Sequence, residues 1–526
     1  MPTKEWNPQS DSPPINGGAT RDTTVNKMED TGLIQDEPLI FERGGKGRRG
    51  YSLPQWDIEE VEVNRLLPPH FLRNELEGFP QLSEVDVVRH FTRLSQWNFG
   101  VDSGFYPLGS CTMKYNPRIN EVTARLPGFS NSHPLQPLET IQGNLAVMYL
   151  LQEWLKELTG FHSVSLQPAA GAQGELVGGL IMRAYHKYRK DDKRTKILVP
   201  DSAHGTNPAT SSMAGFEPVN LPSDKRGNID LEQLKALCDE TTAGLMLTNP
   251  NTLGLFEENV LEVIKIVHNA GGLVYGDGAN LNALLGVTKP GALGFDILHI
   301  NLHKTFSTPH GGGGPGSGPV AVAEHLASFL PDPLIGILEE GNEELPPLYG
   351  FIKPEQSIGR VKAFHGHFGV IVRALTYVLM NGAEGLRDVA KYAVLNANYL
   401  MEILKNAYTL PYDRTCKHEF VLEGVWEELP DIHALDVAKR LMDYGIHPPT
   451  NYFPLIVKEA LMIEPTETES KQTLDEFARV MLQIAKEAHD NPELLHEAPH
   501  HTPVGRLDEV KAARDLVLCC WRPEAN

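Results

Sequence analysis

The sequence predicts an α/β fold: a large domain built on a mostly parallel sheet, followed by a smaller α+β C-terminal domain. Three observations predict it. Between residues 160 and 302, short apolar runs alternate with amphipathic helical patterns. Strands separated by helices run parallel through right-handed crossovers. His204, Asn249, Asn251, Asp277 and Lys304 all fall where the apolar runs end, and such sheets bind ligands at the carboxyl ends of their strands. Beyond residue 319 the alternation gives way to long helices interleaved with fewer strand-like segments.

With 526 residues the chain is long enough for two domains and terminal extensions. Hydrophobic residues make up 41%, yet no apolar run approaches the ~20 residues of a membrane span. A net charge of −21 argues against general binding to nucleic acid or anionic membranes. The five cysteines, Cys111, Cys238, Cys416, Cys519 and Cys520, lack metal-type spacing and point to a reducing compartment. The first 40 residues have no apolar signal core and carry acidic residues, which predicts a cytoplasmic address.

Residues 1–50 are polar, rich in Pro and Gly, and end in a basic cluster, Arg43 to Arg49. They read as a tail or a clamp laid over a partner. An arm over 51–134 contains a helix from Ser83 to about Gln96, with an apolar face of Val85, Val88, Phe91 and Leu94. The loop Ser103 to Pro117 then interleaves Tyr106, Ser110, Lys114 and Tyr115 with glycines and prolines. The large domain spans 135–365. It opens with a helix whose Ile141, Leu145, Met148, Leu151, Trp154 and Leu158 recur at three- and four-residue spacing. A short strand then enters a helix through Gly171-Ala172-Gln173, with Leu176, Leu180, Ile181, Ala184 and Tyr188 as its buried face. Small residues at a helix start leave amides free for an anion.

Strands follow near 195–200, 245–247, 273–275 and 295–302. The last leads into His303-Lys304 and a glycine-rich loop, where bare backbone permits close approach of a flat ligand. A phosphate-loop motif is not met, because Lys304 precedes the glycines. Residues 335–357 read as an acidic, proline-containing loop, and Gly382 as the stop of a long helix. The small domain, 366–500, has strand-like segments at His418 to Leu422 and Asn451 to Val457, and 501–526 is a C-terminal extension.

An enzyme that uses a pyridine aldehyde with a phosphate needs a lysine to form a Schiff base and a carboxylate beside the pyridine nitrogen. It also needs a flat face against the ring, a donor to the phenolic oxygen and a nest for the phosphate. Lys304, Asp277, His204, Asn251 and the Gly171-Ala172-Gln173 turn supply these in order, with Thr206 and Ala279 beside them. Singly, each has a structural alternative: Asp277 as a helix cap, His204 as a core imidazole, Lys304 as a surface lysine. His303 is a candidate proton handler, with a structural or phosphate-side role as its alternative. His365 and His367 lack a nearby carboxylate partner, so no metal is assigned.

The motifs YPLGSCTMKYNP, LQPAAGAQGE, DSAHGTNPA, TNPNTLG and NLHKTFSTPHGGGGPG resemble the P-proteins of the glycine cleavage system, the glycine dehydrogenases (decarboxylating). These are pyridoxal-phosphate enzymes of the aspartate-aminotransferase fold, fold type I. The resemblance covers roughly residues 35–510. It is to the C-terminal, lysine-bearing half, which is subunit 2 where the enzyme is split. It implies pyridoxal 5'-phosphate on Lys304, decarboxylation of glycine, and transfer of the aminomethyl group to the lipoyl arm of H-protein. It also implies a subunit 1 partner in an α2β2 assembly, with Tyr106, Ser110, Lys114 and Tyr115 as candidate substrate contacts. The rivals are another fold-type-I decarboxylase or aminotransferase, and a non-catalytic scaffold subunit.

Overall fold

The computed structural model describes residues 37–518 apart from 74, 75, 77 and 312–315. Most of the basic-flanked tail, the glycine run after His310 and the pair Cys519-Cys520 therefore lie outside the described residues. The chain forms two compact units, one from residues up to Asn98 with those from Glu509, the other Phe99–Asp508.

In the first unit, α1 (Glu84–Trp97) starts at a capping box. Ser83 accepts from the Asp86 amide, and Asp86 accepts in return from the Ser83 amide. Residues 37–48 are tied to this helix. Glu37 meets His90 at 2.7 Å and Arg93 at 3.0 Å, and Arg48 meets Asp86 at 3.0 Å. The helix does not bury the expected face: Val85, Val88 and Phe91 are 53%, 56% and 55% exposed, while His90 is buried.

The second unit contains a seven-stranded sheet. Its strands are β1 (Ser163–Ser165), β2 (Lys196–Pro200), β3 (Glu217–Leu221), β4 (Thr242–Thr248), β5 (Leu273–Gly278), β6 (Ile297–Ile300) and β7 (Val320–Val322), ordered β1-β7-β6-β5-β4-β2-β3. β7 runs antiparallel to the other six strands. On the two faces lie α2 (Gln142–Thr159), α3 (Gly171–Tyr188), α4 (Thr206–Met213) and α5 (Val260–Asn269). The central strands are apolar on both faces, and β4 is buried at all seven positions, as a doubly covered sheet demands. Tyr188 is exposed, and α3 instead packs Val177, Ile181 and Met182. Gly178 permits this, since a Cβ there would lie 2.5 Å from the Tyr275 ring.

Residues 335–357 are not a loop. They hold a hairpin of β8 (Leu334–Glu339) and β9 (Leu348–Ile352), with the acidic residues at its turn. α6 (Phe368–Leu404) is two helices meeting at a kink at Gly382 (φ 61, ψ −175), so the glycine stops the first of them, as expected. Its first part packs Val370 to Val378 into the sheet core, and its last turns put Ala397, Leu400 and Leu404 into a second core. That second core lies under an antiparallel sheet of β10 (Phe420–Glu423), β11 (Thr450–Asn451) and β12 (Ala460–Ile463), covered by α7 (Ala434–Asp443) and α8 (Lys471–Asp490). The expected strand at 451–457 is confined to its first residue, and β12 takes its place. Residues 107–109 dock along β12: the Gly109 amide donates to Met462 O at 3.3 Å, and the Glu464 amide donates to Pro107 O at 3.1 Å.

Candidate active site

β2, β4, β5 and β6 end at one edge of the sheet, and there a cavity of about 480 Å³ opens. Its lining includes Ser110, Cys111, Gly171, Ala172, Glu175, His204, Thr206, Asp277, Ala279, His299, His303 and Lys304. Lys304 sits in a four-residue helix, Leu302–Thr305, just beyond β6. Its ammonium makes no hydrogen bond or ion pair among the described residues. Asp277 is 4% exposed at the end of β5. Its Oδ1 accepts from the Ala279 amide at 2.9 Å and lies 3.4 Å from His299 Nε2. Burial alone would raise its pKa; the His299 ring, the Ala279 amide, Lys304 and Asn207 outweigh that and hold it below the ordinary value.

His299 is itself held, by Tyr275 Oη at 2.5 Å and Asn301 Oδ1 at 2.7 Å. Glu175, one turn into α3, accepts from Thr206 Oγ1 at 2.7 Å and Asn207 Nδ2 at 2.9 Å. Burial and the neighbouring Asp277 charge push its pKa up. The two acids of the cavity are thus shifted in opposite directions. His204 stands at the mouth, where its Nδ1 lies 2.8 Å from Thr206 Oγ1 and its ring meets Phe453 edge-on at 5.6 Å.

Gly171 opens α3 against the Asn301 side chain so closely that a Cβ would lie 2.6 Å from Nδ2. The 18-residue helix therefore presents its first amides at the cavity with no side chain between. Inside the cavity, Thr248 Oγ1 and Asn280 Oδ1 are buried without partners. Lone amine, ionised carboxylate, flat ring, bare helix start and unpaired hydroxyl and amide oxygens together fit a planar, phosphorylated pyridine aldehyde.

Some expected residues are not brought to the cavity. Asn251 donates to Gly227 O at 2.9 Å and accepts from the Leu253 and Leu255 amides, so its amide shapes its own turn. Thr252, the next residue, and Asn280, which donates to Pro250 O at 2.9 Å, line the cavity in its stead. Gln173 likewise turns away, bonding Ala169 N and Val361 O at 2.7 Å each. Lys114 is fully buried, with Nζ bonded to Glu467 at 2.6 Å, Thr305 O at 2.9 Å and Tyr377 Oη at 3.2 Å. That makes it a strut behind Lys304 rather than a ligand contact. Tyr115 is exposed, and Tyr106 stacks on His447 at 3.8 Å. Ser110 does reach the wall, as does His303, whose Nδ1 accepts from Ser317 N at 3.1 Å. Burial, helped by His310 and Lys304, lowers His303 to about 3.

Glu175, His299 and Cys111 were missed by the sequence reading. The first two carried a signal, Glu175 one turn along the phosphate-side helix and His299 two positions from Asn301 on an alternating strand. The Cys111 thiol is raised to about 11 by burial and is no thiolate nucleophile at neutral pH.

A probable glycine dehydrogenase (decarboxylating) subunit 2 from Caldanaerobacter subterraneus subsp. tengcongensis is 59% identical over 92% of this chain and 99% of its own length. The chain belongs to the glycine dehydrogenase (decarboxylating) subunit 2 family. A Bacillus cytotoxicus member of that family is 58% identical over 93% of this chain and 98% of its own. The family model for the glycine dehydrogenase C-terminal domain matches residues 389–500, and that for class-V aminotransferases matches 180–315. Among solved structures, an inhibitor-bound glycine decarboxylase (P-protein) of the glycine cleavage system superposes with a TM-score of 0.67 at 21% identity, covering 80% of this chain and 94% of its own. Subunit 2 family membership and this shared fold agree with the expected fold type I architecture.

Proposed function

We propose that this chain binds pyridoxal 5'-phosphate through Lys304, decarboxylates glycine, and passes the aminomethyl group to the lipoyl arm of H-protein. The observation that carries this reading is the pairing, in one cavity, of an unpartnered Lys304 amine with an ionised, buried Asp277. When bound, the cofactor supplies an electron sink for the bond that breaks. Asp277 would hold the proton of the pyridine nitrogen, His204 would cover the ring, and the Gly171-Ala172 amides would receive the phosphate, with Thr206 beside them. Lys304 would hold the aldehyde carbon and yield it to the glycine amine.

The cavity also favours loss of the substrate carboxylate over its retention. Among the described lining residues there is no arginine, and Lys304 is the sole lysine. The imidazole of His303 is neutral at physiological pH. A glycine carboxylate placed against Ser110, Cys111 and these rings finds no lasting counter-ion, which disfavours it relative to the uncharged carbon dioxide it becomes.

The relatives' designation as subunit 2 supports pairing with a subunit 1, in an α2β2 assembly, and the exposed apolar row on α1 supports a partner surface. No helix among the described residues is long and apolar enough to cross a membrane, in keeping with a proposed cytoplasmic location. The test is the visible absorbance of the purified chain before and after glycine. A band that borohydride fixes onto Lys304, and that glycine shifts, is expected. A chain that stays colourless with added pyridoxal phosphate, or a Lys304→Ala variant that still decarboxylates glycine beside its partner, overturns the proposal. Lasting bleaching to a pyridoxamine form would point to an aminotransferase instead.

A further inference from the structure

Two buried carboxylates, Glu419 and Glu464, have no part in the chemistry proposed above. β10 and β12 run antiparallel with Phe420 opposite Ile463, so Glu419 and Glu464 flank the same end of the pair. Both are fully buried. Among the described residues, neither meets a lysine or arginine in ion-pair range, and their only ionisable contact is His418 Nε2, 3.5 Å from Glu419 Oε1. Ligating atoms of His418, Glu419 and Glu464 all lie within 4.8 Å of one another.

What these carboxylates hold is the wall of the cavity. Ser110 N donates to Glu419 Oε2 at 2.7 Å. Thr112 N and Oγ1 donate to Glu464 at 2.9 and 2.6 Å. Ser110 and Thr112 have φ of 60° and 50°, the left-handed region that residues with a Cβ rarely occupy. Between them stands Cys111, facing the same cavity as Lys304. Left to itself, a Ser-Cys-Thr turn would not stay in this form.

We propose that Glu419 and Glu464 are positioning residues acting as one unit, which holds the Ser110–Cys111–Thr112 turn left-handed against the cavity and so sets the wall that meets the amino acid substrate. This rests on the glycine-binding reading given above. Two carboxylates this close and enclosed, with no lysine or arginine in ion-pair range among the described residues, resist ionising together, so the pair holds a proton more tightly than a lone carboxylate would. Burial raises both groups. The titratable groups facing them are His418, neutral through burial, together with Lys304, Cys111 and Glu467. Loss of that proton at alkaline pH sets the carboxylates against each other and frees the turn.

The test uses the full-length chain with bound pyridoxal phosphate, comparing wild type with Glu419→Gln, Glu464→Gln and the double variant. Iodoacetamide labelling of Cys111, followed on its own peptide by mass spectrometry, reports the turn independently of activity. The glycine concentration that half-saturates the change in the visible band reports the wall. Each single variant should keep its band and thermal midpoint, label Cys111 about tenfold faster, and need about tenfold more glycine. The double variant should be no worse than the worse single. In wild type, labelling beyond that expected from thiol ionisation should rise with pH, and this excess should be absent from Glu464→Gln. Labelling and half-saturation equal to wild type in both single variants overturn the proposal. So does a stoichiometric divalent metal in wild type that Glu464→Gln loses, because a cation would then replace the proton. If Glu464→Gln fails to fold, Thr112→Gly relieves the left-handed strain while removing the hydroxyl bond. It should still raise the glycine requirement, and wild-type behaviour there also overturns the proposal. A wild-type band indifferent to glycine would instead sink the glycine reading, and Cys111 labelling would still decide whether the carboxylates hold the turn.

Discussion

Asp277 and Glu175 are joined by one amide: Asn207 Nδ2 lies 3.2 Å from Asp277 Oδ2 and 2.9 Å from Glu175 Oε2. Their shifts run in opposite directions, so Asp277 is the stronger acid of the two. Asp277→Asn should therefore lose about 100-fold or more in glycine turnover, since a fixed charge is removed from the reacting ring. Glu175→Gln, which keeps an acceptor oxygen for Thr206 and Asn207 and leaves the Asp277 charge in place, should stay within about threefold. Equal losses in the two variants would contradict the assignment.

Lys114 and Glu467 form a buried ion pair that braces Thr305, the residue after Lys304. Burial alone would lower the lysine, but Glu467 and Tyr377 outweigh it and raise Lys114 to about 12. Lys114→Met leaves Glu467 without its partner and should cost about 3–5 kcal/mol in denaturant unfolding. Lys114→Met with Glu467→Met should recover most of that loss, as apolar replacement of a buried pair is often neutral. Were the single variant as stable as wild type, the strut would have no energetic role.

His303 and His310 are held neutral by burial, with folded values of about 3 and about 4. The unfolded chain binds protons at these rings from about pH 6.5 downward, while the native state does not. Stability therefore falls as pH drops below about 6.5, by up to about 1.4 kcal/mol per pH unit for each ring, until the folded values are reached. Replacing His310 with Gln should flatten that acid limb in chemical denaturation measured across pH. An unchanged slope would count against the buried neutral imidazole.

Gly254 has φ +76°, and a Cβ there would lie 1.8 Å from Glu419 O. It also accepts the Lys417 amide at 2.7 Å. Gly254→Ala should destabilise the protein by upward of about 3 kcal/mol, because backbone rather than a movable side chain must give way. A thermal melt matching wild type would refute this.

Phe91 on α1 is exposed beside Val85 and Val88. Phe91→Ser should change the stability of the isolated chain by less than about 0.5 kcal/mol. It should weaken association with the partner subunit by about tenfold in a titration of the two purified proteins. The reverse pattern, lost stability with intact association, would place that face inward.

Much of this was legible in the sequence because it is local. The Ser83-to-Asp86 capping box, the apolar run ending at Asp277 and the small residues opening α3 are each contained in a few neighbouring positions. What escaped depends on distant partners. β7 is three residues long and is a strand only because β1 and β6 flank it. The hairpin β8–β9 was hidden by the acidic turn between its strands. Asn251 and Thr252 are adjacent, and only the fold of their turn decides which faces the cavity. Glu419 and Glu464 sit in apolar surroundings that gave no sign of a carboxylate role. Helical periodicity marked Val85 and Val88 as apolar but did not reveal whether this chain covers them.

The docking of residues 107–112 on β12 has a consequence for biosynthesis. Thr112 and Glu464 are 352 positions apart, so the wall of the cavity waits for β12 to leave the ribosome. Lys304, the sheet and the start of α3 are all made before that point. A nascent or truncated chain ending before residue 460 would carry the lysine and the sheet edge without the wall opposite them, so the amino acid side of the pocket closes only once β12 has been made.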